Sequence, residues 1–269
     1  MSTFKRGISD EFVEALNRLY EDENSFWYKI VNDNDLFIAI RDGYLNVYYK
    51  GQSLCKLSYV KSCVKGETHK KYLGFSGKGY FSSKNGVISN ENAKIKDLSE
   101  TDSIKEYIEG YIGKEKLESY AEILGNDINV IDVEITFVKD KVPNPIRKAD
   151  YETSSIDYLA LKGDSLVFYE AKHFSNSEIR SRNTPKVFGQ ISRYEDALIE
   201  HENEILSTYE KVLQNLKDLN ILNGLSLPIK LKIDYSPRLI VFDVPMGVAK
   251  DAHLNKLRMK FAKRLILKP

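Results

Sequence analysis

Two apolar stretches of strand length, joined by a short Gly-Asp sequence, constrain the fold of this 269-residue chain more than any other feature. The stretches are 155–161 and 166–174, and Gly163-Asp164 lies between them. A Gly-Asp pair between two such runs favours a two-residue turn, which makes the flanking strands antiparallel and determines which residues stand opposite each other. The region therefore predicts a β-hairpin with mostly buried side chains.

This hairpin carries three charged side chains. A two-residue turn, or a four-residue turn over 162–165, puts Asp157 directly opposite Glu170, whereas a three-residue turn does not. Lys172 lies on the same face of the strand as Glu170, because alternate strand residues share a face. Glu170-Ala171-Lys172 is also the only acidic-x-Lys sequence in the whole chain.

Opposed carboxylates in an apolar sheet repel each other, so this arrangement requires a compensating cation. Two carboxylates, a carbonyl and water suit Mg²⁺ or Mn²⁺. Lys172 would then orient water or stabilise charge on a phosphate. The pattern thus predicts a metal-dependent phosphodiesterase. The alternative is a strand pair whose carboxylates meet surface lysines, with Lys172 a solvated edge residue.

These residues resemble a known family. Asp157, a gap of 12 residues and Glu170-Ala-Lys172 are similar to the signature of the PD-(D/E)xK nuclease superfamily. Gln190-Ile-Ser-Arg-Tyr194 resembles the QxxxY motif of its RecB-type and Cas4-like members, and the i, i+4 spacing puts both residues on one helical face. The resemblance covers about residues 103–244.

The resemblance implies an α/β fold with a restriction-endonuclease-like core: a helix, a three-stranded antiparallel meander, a helix and a strand. It implies that Asp157, Glu170 and the Ala171 carbonyl bind Mg²⁺ or Mn²⁺, and that Lys172 positions or activates water. Gln190 and Tyr194 would support the substrate or the site, although ordinary helix packing is the alternative for both. The expected reaction is hydrolysis of phosphodiester bonds in DNA, with RNA not excluded, in bacterial defence or DNA repair.

Two features depart from the family pattern. Ile156 stands where a proline usually precedes the first Asp. The family's additional acidic residue on the first core helix has five candidates: Glu106, Glu109, Glu115, Glu118 and Glu122. A non-catalytic module that binds nucleic acid or another protein, and only retains the nuclease fold, is therefore the alternative function.

The net charge of +1 conceals a strong segregation of charge along the chain. Residues 41–84 hold nine basic and two acidic residues, residues 91–140 hold 13 acidic and six basic residues, and residues 172–193 hold five basic residues and one acidic residue. In the last segment, Arg180, Arg182 and Lys186 follow the predicted site, and we expect them to contact phosphates.

The first 100 residues predict a β-rich α+β domain that docks nucleic acid or a partner, and residues 101–269 predict the nuclease-like domain. A helix in the first 20 residues precedes short strands, among them 36–41, 44–50, 53–59 and 72–75. Lysines alternate there with aromatic residues, which suits phosphate contact and base stacking. The alternative is a sheet with a polar face and its aromatic side chains inside. Residues 185–219 predict one long helical region.

The remaining composition excludes other classes of protein. Cys55 and Cys63 are too few for a disulfide framework, and no Cys/His cluster indicates zinc. The N-terminus has no apolar region typical of a secretion signal, and no run approaches the 18 apolar residues of a membrane span. We expect a cytoplasmic protein that contacts no membrane, and the sequence is compatible with a homo-oligomer or with a protein partner.

Overall fold

The computed structural model describes residues 4–90, 92–112, 129–136, 155–181, 183–222, 226–247 and 251–269. The chain forms two compact units. The six-stranded unit comprises Lys5–Tyr120 and Thr208–Leu227, and the five-stranded unit comprises Met1–Phe4, Ala121–Ser207 and Pro228–Pro269. Each contains helices and one sheet, so the expected α/β class is confirmed.

The six-stranded unit is an antiparallel meander with helices packed on it. Its strands are β1 (Leu36–Ile40), β2 (Tyr44–Tyr49), β3 (Gln52–Val60), β4 (Cys63–His69), β5 (Tyr80–Lys84) and β6 (Val87–Ile88), paired in chain order. Its helices are α1 (Asp10–Tyr20), α2 (Phe26–Val31) and α3 (Thr101–Glu109). Phe12, Leu16, Trp27 and Leu57 are fully buried among them, because the amphipathic helices cover the apolar face of the sheet.

The five-stranded unit has the sheet order β11-β10-β9-β8-β7. The strands are β7 (Val130–Thr136), β8 (Ser155–Lys162), β9 (Ser165–His173), β10 (Lys232–Phe242) and β11 (Leu265–Leu267). The first three pair antiparallel, whereas β10 runs parallel to β9 and β11 parallel to β10. Its helices are α4 (Lys186–Glu200) and α6 (Ala252–Phe261), and α5 (Glu202–Asp218) has residues in both units.

Helix α4 packs on β10 through one stripe of buried residues. Val187, Ile191, Tyr194 and Leu198 recur every three or four residues, which places them on the same helical face. Gln190 lies one turn before Tyr194 and is half-buried. Gln190 and Tyr194 therefore both lie on the side of α4 that packs on the sheet.

Several elements differ from the sequence prediction. The strand expected at 72–75 is instead a turn of 3₁₀-helix (Lys70–Leu73), and β4 and α2 were not predicted. Residues 185–219 form two helices, because the helix breaks at His201.

The predicted boundary near residue 100 separates the strands of the two sheets, but as a domain boundary it stays a prediction. Helix α3, expected to begin the nuclease-like domain, packs on β3 and α2 within the six-stranded unit. Across the described ranges, no helix combines the length and apolar character that crossing a membrane requires.

Candidate active site

The turn between β8 and β9 sets the register of the predicted carboxylate pair. Lys162 pairs with Ser165 across the two-residue turn, and the pairing continues without a shift to Tyr158 and Tyr169. The next residues in this register are Asp157 and Glu170, as the sequence predicts. The Ala171 backbone N–H donates a hydrogen bond of 2.8 Å to Asp157 Oδ2, which ties the carboxylate to the neighbouring strand.

Glu170 is the centre of the site's hydrogen bonds. Its side chain is only 1% exposed. Gln190 Nε2 donates to Glu170 Oε1 at 2.7 Å, and the Tyr194 hydroxyl lies 2.9 Å from Glu170 Oε2. The Gln190 amide also donates to the Tyr194 hydroxyl at 2.6 Å. Both residues of the QxxxY pair therefore contact the carboxylate that the sequence assigned to the metal.

The Tyr194 hydroxyl has one proton for two acceptors. Besides Glu170 Oε2, the Ser155 carbonyl oxygen lies within hydrogen-bond distance of it, at 2.6 Å. The proton is shared between these two acceptors, and the hydrogen bond to Glu170 opposes the rise in the pKa of that carboxyl group that burial causes. Burial, followed by the charge of Glu170, raises the pKa of Tyr194, so the hydroxyl keeps its proton.

Lys172 lies on the same face as Glu170, and its ammonium bridges two carboxylates. Lys172 Nζ is 2.7 Å from Glu170 Oε1 and 2.8 Å from Glu178 Oε2. Burial alone would lower the pKa of Lys172, but its two carboxylate partners outweigh burial and raise it, so Lys172 is a cation. Sequence reasoning missed Glu178, although it is the only acidic residue in 172–193.

The site disfavours a negative charge on both opposed carboxyl groups at once. Burial, followed by the charge of Glu170, raises the pKa of Asp157 to about 8. Burial also raises the pKa of Glu170, although Lys172, Tyr194 and Gln190 partly oppose it. One lysine therefore does not offset two charged carboxylates, so Asp157 keeps a proton that a second cation could displace.

Glu134 on β7 is a third carboxylate that sequence reasoning missed. Val133 pairs with Tyr158 and Ile135 with Ile156, so Glu134 stands opposite Asp157 in the register. Its charge contributes to the raised pKa of Asp157. Its φ of 51° is uncommon for a residue other than glycine. Only the β7–β8 pairing identifies it, because the position of Glu134 relative to Asp157 depends on the register of two strands that are distant in the sequence.

The donors at this hairpin fit a hard divalent cation by their chemistry. Asp157 and Glu170 supply carboxylate oxygens, and among the described residues Asp157 Oδ1 accepts no hydrogen bond. Within the same described ranges, no three His, Cys, Asp or Glu side chains are grouped closely enough to hold a metal. A metal here would therefore take two carboxylates and complete its coordination with carbonyl oxygen and water.

The other predicted site residues have different positions. Arg180 pairs with Asp251 at 3.6 Å and lies over the Phe174 ring, Lys186 is exposed at the start of α4, and Arg182 lies outside the described residues. Among the five helix glutamates, Glu115, Glu118 and Glu122 also lie outside the described residues. Glu106 is exposed on α3, and Glu109 accepts hydrogen bonds from Tyr49 and Lys50 within the six-stranded unit.

Comparison with protein-family models, with curated proteins and with solved structures found no match to this chain.

The raised pKa of Asp157 predicts a pH dependence of stability in metal-free protein. The folded-state pKa is about 8, above the ordinary value of 3.8, so folding favours the protonated acid. This contribution is complete below about pH 4 and is lost as the pH rises to about 8. We expect Asp157→Asn to be more stable than wild type by about 1–3 kcal/mol at pH 8.5, but not at pH 4.

Urea denaturation in EDTA at both pH values measures this difference. Asp164→Asn is the matched control, because Asp164 is an exposed turn carboxylate on the same hairpin, paired with Lys232. A loss of stability in Asp157→Asn that grows with pH would contradict the assignment of an acid whose charged form the fold disfavours.

Proposed function

We propose that this chain is a metal-dependent nuclease that hydrolyses phosphodiester bonds in DNA, with Mg²⁺ or Mn²⁺ as its cofactor. The observation that carries the proposal is the convergence of Lys172, Gln190 and Tyr194 on Glu170, beside Asp157. These residues belong to two sequence motifs, the Asp157/Glu170-Ala-Lys172 motif and QxxxY, that lie on different elements, and their convergence on one carboxylate supports a shared site.

The topology around these residues also supports the proposal. An antiparallel meander, β7-β8-β9, is followed by helices and then by β10, parallel to β9. The resemblance implies a helix, a three-stranded antiparallel meander, a helix and a strand, and this succession supports the last three of these elements. Fold likeness alone does not assign an activity, so the residues of the site carry the argument.

The chain's own residues have distinct roles in this proposal. Asp157 and Glu170 hold the ion, and a bound divalent ion polarises phosphate and lowers the pKa of water. Lys172 carries a fixed positive charge beside Glu170, where it orients the attacking water and stabilises charge developing on the phosphate. Gln190 and Tyr194 are positioning residues, because they donate hydrogen bonds to the Glu170 carboxylate and thereby fix its position.

Loss of charge at the site is expected to abolish cleavage while leaving the fold intact. Asp157→Asn, Glu170→Gln and Lys172→Met should each reduce cleavage of plasmid and single-stranded DNA by at least about 100-fold, the scale typical for removal of a transition-state contact. Cleavage is measured with Mg²⁺ or Mn²⁺ and with EDTA. Asp164→Asn and Lys232→Met are matched controls that change a carboxylate and a lysine of an exposed ion pair in the same sheet. Equal cleavage by wild type and all three site variants would refute the assignment.

The positioning residues predict a different kinetic signature. We expect Gln190→Ala and Tyr194→Phe to raise the Mg²⁺ concentration needed for half-maximal cleavage by about 10- to 100-fold, because partners of a ligand orient it and tune its basicity. Saturating Mg²⁺ should restore most of the rate. Ser192→Ala, on the exposed side of α4, is the control and should leave the metal dependence unchanged. A lowered rate with unchanged metal dependence would count against a positioning role.

A binding module without catalysis is the second candidate. The observation that favours it is that both oxygens of Glu170 are already bonded, to Gln190 and Lys172 on one side and to Tyr194 on the other. A closed network of this kind also serves as a structural element in a sheet. This candidate predicts metal-independent DNA binding, unaffected by Lys172→Met, and no cleavage.

A further inference from the structure

A cavity of about 410 Å³ opens on the polar face of the six-stranded sheet. It lies entirely within β2–β5 and the 3₁₀ turn after β4, so it is separate from the hairpin that holds Asp157 and Glu170. Its volume is in the range of pockets that bind small organic molecules. Its lining combines aromatic rings with lysines, and the proposed cleavage site uses none of these residues.

The sheet register places the polar lining residues in one row. Asn46 pairs with Lys56, and Lys56 pairs with Glu67, so the three side chains share a face across β2, β3 and β4. His69 and Tyr80, paired across β4 and β5, stand on the same face two residues further along β4. The opposite face carries the buried core residues, including Leu45 and Leu57.

The cavity wall is aromatic on several sides. The Tyr72 and Tyr80 rings lie 5.8 Å and 5.2 Å from the His69 ring. Tyr80 is 67% exposed, so most of its ring is uncovered. An exposed ring at the mouth of a cavity offers a flat surface on which another planar group can stack.

Positive charge lies directly against these rings. Lys56 Nζ is 4.1 Å from the centre of the Tyr44 ring, and Lys71 Nζ is 4.7 Å from the centre of the Tyr72 ring. The acidic lining residue, Glu67, is bonded at 2.8 Å by Lys65 Nζ. The lining therefore has two cations, Lys56 and Lys71, beside an ion pair of Glu67 with Lys65.

The sheet beside the cavity continues this charge. Lys65 pairs directly with Lys84 across β4 and β5, one row away from Lys56 and Glu67. Like charges directly opposite each other on a sheet repel, and Glu67 offsets the charge of Lys65 only once. A ligand that extends out of the cavity thus meets one further net positive charge in this row.

The wall also offers a defined hydrogen-bond donor. The backbone N–H of Lys71 donates to His69 Nδ1 at 3.1 Å. With Nδ1 accepting, a neutral imidazole carries its proton on Nε2. Burial, followed by the charge of Lys71, lowers the pKa of His69 and favours this neutral form.

We propose that this cavity binds an unpaired nucleotide, with its base stacked on Tyr80 and its phosphate held by Lys56 and Lys71. A planar, hydrogen-bonding ring attached to an anion satisfies the rings, the His69 donor and the lysines together, whereas an acidic peptide would use only the lysines. The nucleotide is part of a single strand whose next phosphates lie over Lys65 and Lys84. A base in a duplex has no uncovered face to offer, so the cavity discriminates against duplex DNA.

Binding of a fluorescent ten-nucleotide thymidine strand, measured by anisotropy in EDTA, tests the proposal. We expect Tyr80→Ala to weaken binding by about 10-fold, because stacking on one aromatic residue contributes that order of affinity. Tyr80→Phe keeps the ring and should bind as wild type does. Lys56→Ala should weaken binding and reduce the salt dependence by about 0.7 in log–log slope, the loss of one phosphate contact to a single strand.

Lys217→Ala is the matched control, because Lys217 is exposed on α5 in the same unit. Competition with thymidine monophosphate distinguishes binding of a strand from binding of a free nucleotide. The proposal is supported if the unlabelled strand displaces the fluorescent strand at a lower concentration than the monophosphate does, and if Tyr80→Ala weakens the binding of both ligands. Equal binding of the duplex, equal binding of polyglutamate, or unchanged affinity in both Tyr80→Ala and Lys56→Ala would overturn the proposal. EDTA prevents metal-dependent cleavage, so the two proposals are tested separately. Absence of strand binding does not count against the nuclease proposal, and absence of cleavage does not count against the nucleotide cavity.

Discussion

The antiparallel pairing of β8 and β9 across a two-residue turn is the constraint on which the candidate site depends. The turn sets Lys162 against Ser165, and each pair that follows is determined by that first one. Because the strands lie in a mostly buried sheet, the register brings Asp157 and Glu170 to the same level in surroundings that solvate charge poorly. A shift of one residue would turn one carboxylate to the other face and leave no site.

The charge that this register creates is only partly compensated inside the protein. Lys172 binds Glu170, and Gln190 and Tyr194 satisfy the remaining lone pairs of that carboxylate. Within the described ranges, Asp157 accepts a hydrogen bond only from the Ala171 N–H, and burial, followed by the charge of Glu170, raises its pKa. The two carboxyl groups therefore differ in their hydrogen bonding. Glu170 is fixed by a network of partners, whereas Asp157 has fewer partners and is the carboxyl group better able to bind a cation.

Some parts of the candidate site could be predicted from the sequence, and others could not. The hairpin, the opposition of Asp157 and Glu170, and the shared face of Lys172 were predictable because they depend on local periodicity and turn length. The contacts of Gln190 and Tyr194 with Glu170 were expected only through a motif resemblance, since no local rule places α4 on the sheet. Glu134 and the cavity near Tyr80 required the pairing of distant strands, and β4 was missed because its alternating small and polar residues carry a weak strand signal.

Calorimetric titration with Mn²⁺ at pH 7 shows whether Asp157 and Glu170 form one cation site. In two buffers of different ionisation enthalpy, we expect binding with release of about one proton per ion, because Asp157 is largely protonated before the ion arrives. Binding should be lost in Asp157→Asn and in Glu170→Gln. Absence of binding to wild type, or undiminished binding to both variants, would mean that the two carboxylates do not form a cation site.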